Sequence, residues 1–175
     1  VERSVSASCR RDTMQITNPS ATFTRPADTT QYSIGDLIAN STTAGSVVPM
    51  AFDPGNSAGT GQFRLTRLRI IKSGTSVTAA NLRLHLYENL PVVANGDNGA
   101  WSTDNAAHWL GNIDMASMLA FTDGAAGTAS AVAGSELLIK MYQGKTFYGL
   151  LANLSTYTPA SAEVFTVILE LLDSY

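Results

Sequence analysis

Five residues, Gly55-Asn56-Ser57-Ala58-Gly59, fit G-x-S-x-G, the spacing that sets a serine nucleophile on a sharp turn between a strand and a helix. Here Thr60 and Gly61 follow, and a strand pattern opens at Gln62, so the helix that the motif needs is missing. His85 and His108 are the only histidines and the only imidazole bases on offer. The stretch reads as a glycine-rich loop. Gly144-Lys145-Thr146 ends like a phosphate-binding loop, but Ile139 stands where that pattern needs its first glycine, and a strand pattern follows. Asp97, Asp104, His108 and Asp114 form a loose set of metal-type ligands. A calcium loop places carboxylates at near-alternate positions, and a zinc site wants more His or Cys, so these read as solvated loop groups. No set of residues assembles for catalysis. The expectation is a protein that is not an enzyme and holds no cofactor or metal.

The elements that carry these residues are strands. Residues 62–88 read as two long strands forming an antiparallel pair, joined by the polar turn Ser73-Gly74-Thr75-Ser76. In the second, Leu82, Leu84 and Leu86 alternate with Arg83, His85 and Tyr87, a period of two that separates apolar and polar faces. His85 then reads as a hydrogen-bonded sheet histidine on the face opposite the leucines. In the first, Phe63 and Leu65 are apolar, yet so are Leu68 and Ile70. The phase change predicts a bulge or sharp twist near Thr66-Arg67. Arg64, Arg67, Arg69 and Arg83 suggest a basic ladder across the pair, either matched by carboxylates or docked on an acidic neighbour.

Further strands are predicted at residues 36–40, 47–52, 147–154 and 164–172, with a short one within 108–115. Pro49 places its strand at an edge or a bulge. Phe165, Val167, Leu169 and Leu171 make an unbroken inward face. Residues 118–121 are ambiguous, 123–134 read as a Gly/Ala/Ser/Thr loop, and 135–144 read as a strand or a short capped helix. Residues 89–109 form a long loop anchored by Trp101 and Trp109. Seven to nine strands with long connections and little helix predict an all-β fold: a two-sheet antiparallel sandwich of jelly-roll type. Residues 1–22 are assigned to an N-terminal arm and 23–175 to a single sandwich domain.

The 175 residues suffice for one domain with a substantial core. Charged residues are only 14% of the chain, well below the usual level of about 25%, which suits a surface held against neighbours. A net charge of -3 without a basic tract argues against nucleic acid as a partner. No apolar run is long enough to cross a bilayer, so no membrane partner is expected. The lone Cys9 excludes an internal disulfide.

Several runs carry a resemblance. Arg25-Pro26-Ala27-Asp28-Thr29-Thr30, Tyr32, Gly35-Asp36 and residues 40–49 look like a stretch found in small structural proteins of tailed bacteriophages. Lys72-Ser73-Gly74-Thr75, Leu82-Arg83-Leu84-His85-Leu86, Gly96-Asp97-Asn98-Gly99-Ala100 and Tyr157-Thr158-Pro159-Ala160-Ser161 extend it over about residues 23–172. The chain resembles capsid cement or decoration proteins. That resemblance implies a jelly-roll-like virion protein, commonly trimeric, bound to the major capsid protein on the outer surface of the head. The expected capsid or oligomer contacts are Arg10, Arg11, Met14, Phe23, Arg25, Trp101 and Trp109. The alternative is a carbohydrate- or receptor-binding sandwich of a phage fibre, tail or baseplate, for which Trp101, Trp109 and Tyr157 are candidates.

Overall fold

A computed structural model describes residues 15–55, 61–131, 134, 136–140 and 146–173. Twelve strands lie among them: β1 (Ile16–Thr17), β2 (Ser20–Thr24), β3 (Leu37–Ile38), β4 (Met50–Phe52), β5 (Gln62–Lys72), β6 (Leu82–Tyr87), β7 (Trp109–Met115), β8 (Leu119–Phe121), β9 (Gly124–Ser130), β10 (Leu137–Lys140), β11 (Phe147–Asn153) and β12 (Val164–Asp173). They form two antiparallel sheets. The larger runs β1/β2, β12, β5, β9 and β8, with β10 sharing the β9 side of β5. The smaller runs β3/β4, β11, β6 and β7. Successive strands mostly change sheet, and β2-β12-β5-β9 facing β4-β11-β6-β7 is the strand order of a jelly roll.

The core lies between the sheets. Phe63, Leu65, Leu68 and Ile70 of β5 and Phe165, Val167, Leu169 and Leu171 of β12 meet Leu82, Leu84 and Leu86 of β6 and Phe147 and Leu151 of β11. The phase change in β5 is resolved by a bulge. Arg67 pairs with Glu170 and Leu65 with Leu171, so Thr66 is the unpaired extra residue. Its hydroxyl donates to the Glu170 carbonyl at 3.0 Å, and its own carbonyl accepts from the Ala131 N–H. The extra residue keeps both apolar sets on one face, as the alternation demands.

Two expectations are corrected. The strands at 62–72 and 82–87 are not a hydrogen-bonded pair: β5 and β6 lie in opposite sheets and meet through their leucine faces. The connection is wrapped around the Lys72 ammonium, which donates to the Gly74 carbonyl at 2.9 Å and the Ser76 carbonyl at 2.5 Å. That detour carries the chain across the sandwich. Residues 124–130 are not a loop but β9, bonded to β5. Their small size answers crowding, since a Cβ on Gly127 would stand 2.5 Å from the Met115 sulfur. Of the two readings of residues 135–144, residues 137–140 take the strand, β10. Strand β4 does sit at an edge of its sheet, directly after Pro49. The boundary drawn after residue 22 falls inside β2, and residues 16–17 and 20–24 are laid along β12.

The bulge yields a test. Deleting Thr66 removes the bulge and leaves Phe63, Leu65, Leu68 and Ile70 in strict alternation and in register with β12, so cooperative thermal unfolding should survive the deletion. Thr66→Ala keeps the register and should cost only about 1 kcal/mol in urea unfolding.

Candidate functional site

The two sheets differ in what covers their outer faces. The outer face of the smaller sheet is covered by a second apolar cluster of Leu37, Ala39, Tyr87, Val93 and Leu150, with Trp101 and Tyr148 packed against it. Val93 and Trp101 come from the long loop, whose limbs are tied by Glu88 N–H to the His108 carbonyl and by a bridge between Val93 and Thr103. The outer face of the larger sheet has no comparable cover among the described residues. From it Arg64, Arg67 and Arg69 of β5 and Lys140 of β10 face solvent. This is cationic ground on a chain of net charge -3. Glu170 pairs with Arg67 at 2.5 Å, and among the described residues no carboxylate lies within salt-bridge reach of Arg64 or Arg69. Asn18, Arg67, Arg69, Ile168 and Glu170 line a cleft of about 320 Å³ on this face.

The basic ladder is therefore shorter than expected. Arg83 belongs to the smaller sheet, where its Nε and Nη2 each stand 2.6 Å from an oxygen of Asp114. The hydrogen bonds from Arg83 hold the Asp114 carboxyl below the usual carboxylate range. His85 does lie opposite the leucines, but it is buried under Trp101, with ring centroids 4.0 Å apart and planes 15° apart. Burial, aided by the Arg83 charge and opposed by Asp114, pulls its pKa down to about 4. Asp97 is not a solvated loop group. It is 6% exposed and accepts from Arg25 Nη2 at 2.9 Å, the Tyr32 hydroxyl at 2.6 Å and the Ala39 N–H at 2.8 Å. Asp104, His108 and Asp114 make separate contacts, with Val92 N–H, Glu88 and Arg83 respectively.

The expected contact residues scatter. Arg10, Arg11, Met14 and Cys9 lie outside the described residues, as do Ser57 and the Gly144-Lys145 pair. Arg25 is not at a surface: it is 2% exposed and committed to Asp97, Tyr32, and the Asp28 and Ala160 carbonyls. Phe23 is half-buried and stacks on Phe165 at 5.5 Å. Trp101 is half-buried, and Tyr157 is fully buried. Trp109, at 46% exposed, is the tryptophan that reaches solvent.

Sequence reasoning missed a buried polar network that links four segments. Beside the Arg25–Asp97 pair lies a second, Lys72–Glu163 at 2.9 Å, with both side chains inaccessible. Tyr157 donates to the other Glu163 oxygen at 2.5 Å, and its ring stacks on Tyr32 at 6.2 Å. Each cation also sits 4.9 Å from the centroid of a tyrosine ring, Arg25 over Tyr32 and Lys72 over Tyr157. Burial, with Asp97 and Glu163 respectively, drives both phenols well above their ordinary range, so they stay protonated as donors. Gly74 is needed beside this network, because a Cβ there would stand 2.0 Å from a Glu163 oxygen. No motif advertises such a network; the signal was four charges flanking two tyrosines in runs of turn residues.

No protein-family model matches the chain, and no curated protein matches it. Among solved structures, the virus-like particle of the extra small virus of the giant freshwater prawn Macrobrachium rosenbergii aligns with 90% of this chain and 80% of its own. The identity is 10% and the TM-score 0.30, too loose a superposition to carry fold or function across. The fold assignment rests on strand order. The site belongs to a jelly-roll sandwich with one covered sheet and one open, cationic sheet.

Two outcomes follow from the geometry. Arg25→Ala should cost about 3–5 kcal/mol in urea unfolding by stranding Asp97, and Arg25→Met with Asp97→Leu should recover most of it. The His85 pKa is depressed on folding, so the unfolded chain takes up the proton first as pH falls. The stability linked to neutral His85 is complete above about pH 6.5 and is lost as pH falls towards 4, by no more than about 3 kcal/mol. Thermal unfolding across that window should show the decline, and His85→Phe should flatten it.

Proposed function

We propose that this protein is a structural component of a virion, of the cement or decoration kind, whose work is done by surfaces rather than by chemistry. In this reading it binds the major capsid protein on the outside of a tailed-phage head and stabilises the lattice. The observation that carries the proposal is the open outer face of the larger sheet. It is rigid, because β5 and β12 are anchored in the core on their other side. It also carries Arg64, Arg67, Arg69 and Lys140, with Arg67 and Arg69 lining a cleft, while Thr22, Thr166 and Ile71 add exposed or half-buried contact area on the same sheet. Charge complementarity commits this face to an acidic patch on the coat protein. The phage-like runs of the sequence support the same reading.

Self-association is part of the proposal, with a trimer as the state. Edge strand β8 presents Leu119 (73% exposed) and Phe121 (55%), an apolar edge that a second copy would cover.

Arg64→Glu with Arg69→Glu changes two exposed side chains that lie outside the salt bridges described. The double variant should keep its melting temperature and lose affinity for heads by about tenfold or more in co-sedimentation. Wild-type binding should weaken as salt is raised. Heads lacking the protein should burst at lower temperature, and adding it back should restore them. Full retention of the double variant on heads would overturn this docking face.

A further inference from the structure

We propose that the outer face of β6 and β7 is a second binding site, for a neutral saccharide, with the Trp109 ring as its platform. Opposite residues on these strands share a face: Arg83 with Asp114, His85 with Asn112, and Tyr87 with Trp109. A bulge at Leu86/Tyr87 re-aims the chain next to Trp109, and β7 is the open edge of its sheet. Trp109 therefore stands half-exposed beside the buried His85, on which Trp101 stacks, with its ring centroid 6.3 Å from that of His85 and tilted by 43°. Further along the strand, two and four register positions away, or roughly 7 and 13 Å, come the planar polar groups of Asn112 and Asp114. Asn112 Nδ2 donates to Asp114 at 3.1 Å, and Arg83 clamps the carboxylate from its other side.

This surface combines an aromatic plane with an adjoining amide and a matched ion pair. Arg83 and Asp114 cancel, and His85 is neutral at physiological pH. Its chemistry suits a ligand with one apolar face and a rim of hydroxyls, which describes a pyranose ring better than a peptide or an anion. A second observation points to the same spot. His85 Nδ1, the Tyr87 hydroxyl and Trp101 Nε1 are three of the five buried side-chain polar atoms that lack a hydrogen-bond partner among the described residues. His85 and Tyr87 are 7% and 0% exposed. Buried polar groups are rarely left unpaired, and two of these belong to His85 and Tyr87, the β6 residues opposite Asn112 and Trp109. The site is independent of the cationic face: it lies on the other sheet.

The test is an array of neutral hexose and N-acetylhexosamine oligosaccharides, with the best binder then titrated against tryptophan fluorescence. At least one neutral oligosaccharide should bind saturably. Trp109→Ala should weaken it by about tenfold or more, and Trp109→Phe should restore part of the loss. The Arg64→Glu and Arg69→Glu double variant should bind the same saccharide unchanged. No binding by any member of the array would overturn the site, as would binding that survives Trp109→Ala. Binding confined to anionic sugars and lost in the arginine variant would place the activity on the larger sheet and equally refute it.

Discussion

The two buried ion pairs, Arg25–Asp97 and Lys72–Glu163, are what the loops at one end of the sandwich depend on. Each cation is inaccessible to solvent, so each must be matched by a carboxylate and by further donors or acceptors, or the desolvation cost would unfold the region. The matching is drawn from distant parts of the chain. Arg25 comes from the segment after β2, Asp97 from the long loop, Lys72 from the end of β5, and Tyr157 and Glu163 from the connection between β11 and β12. Stacking of Tyr32 on Tyr157 joins the two halves. Such a network is weak evidence for high stability but strong evidence for a single arrangement, because a half-satisfied version is worse than none.

That arrangement has a consequence for the surfaces. By fixing Asp97, the network holds the long loop over the smaller sheet, where Val93 and Trp101 complete a second apolar cluster. The smaller sheet is thus buried on both faces over β11 and most of β6, which read almost continuously apolar or occluded, while its edge strand β7 stays partly open. The larger sheet keeps the ordinary alternation, inward apolar and outward polar, and its outer face is left open. The proposed docking face is the remainder once the loops have been used to cover the other side.

Much of the fold was legible. Alternation in Leu82–Leu86 and Phe165–Leu171 gave the inward faces, and the phase change near Thr66 located the bulge, because a period of two leaves no other way to keep four apolar residues inside. Partnership was not legible. Nothing local says that β5 and β6 lie in opposite sheets, since that follows from the path of the connection around Lys72. Strand β9 was hidden because its Gly127 answers packing against Met115 and Ser117, while composition alone suggests a loop. The site reading failed where charge was taken for exposure. Arg25 and Asp97 looked like surface groups because their partners are 72 residues apart in sequence. The runs that suggested a phage family contain Arg25, Tyr32, Lys72, Asp97 and Tyr157, so they mark the buried network rather than a contact surface.

The central claim is that the open face of the larger sheet docks on an acidic coat surface. Its most direct test is arginine-selective chemical footprinting, read by mass spectrometry, of the protein free and bound to heads. The account predicts strong protection of Arg64, Arg67 and Arg69 on binding, with Arg83 on the opposite sheet labelled equally in both states. Unchanged labelling of the three β5 arginines in a protein that is demonstrably bound would contradict it.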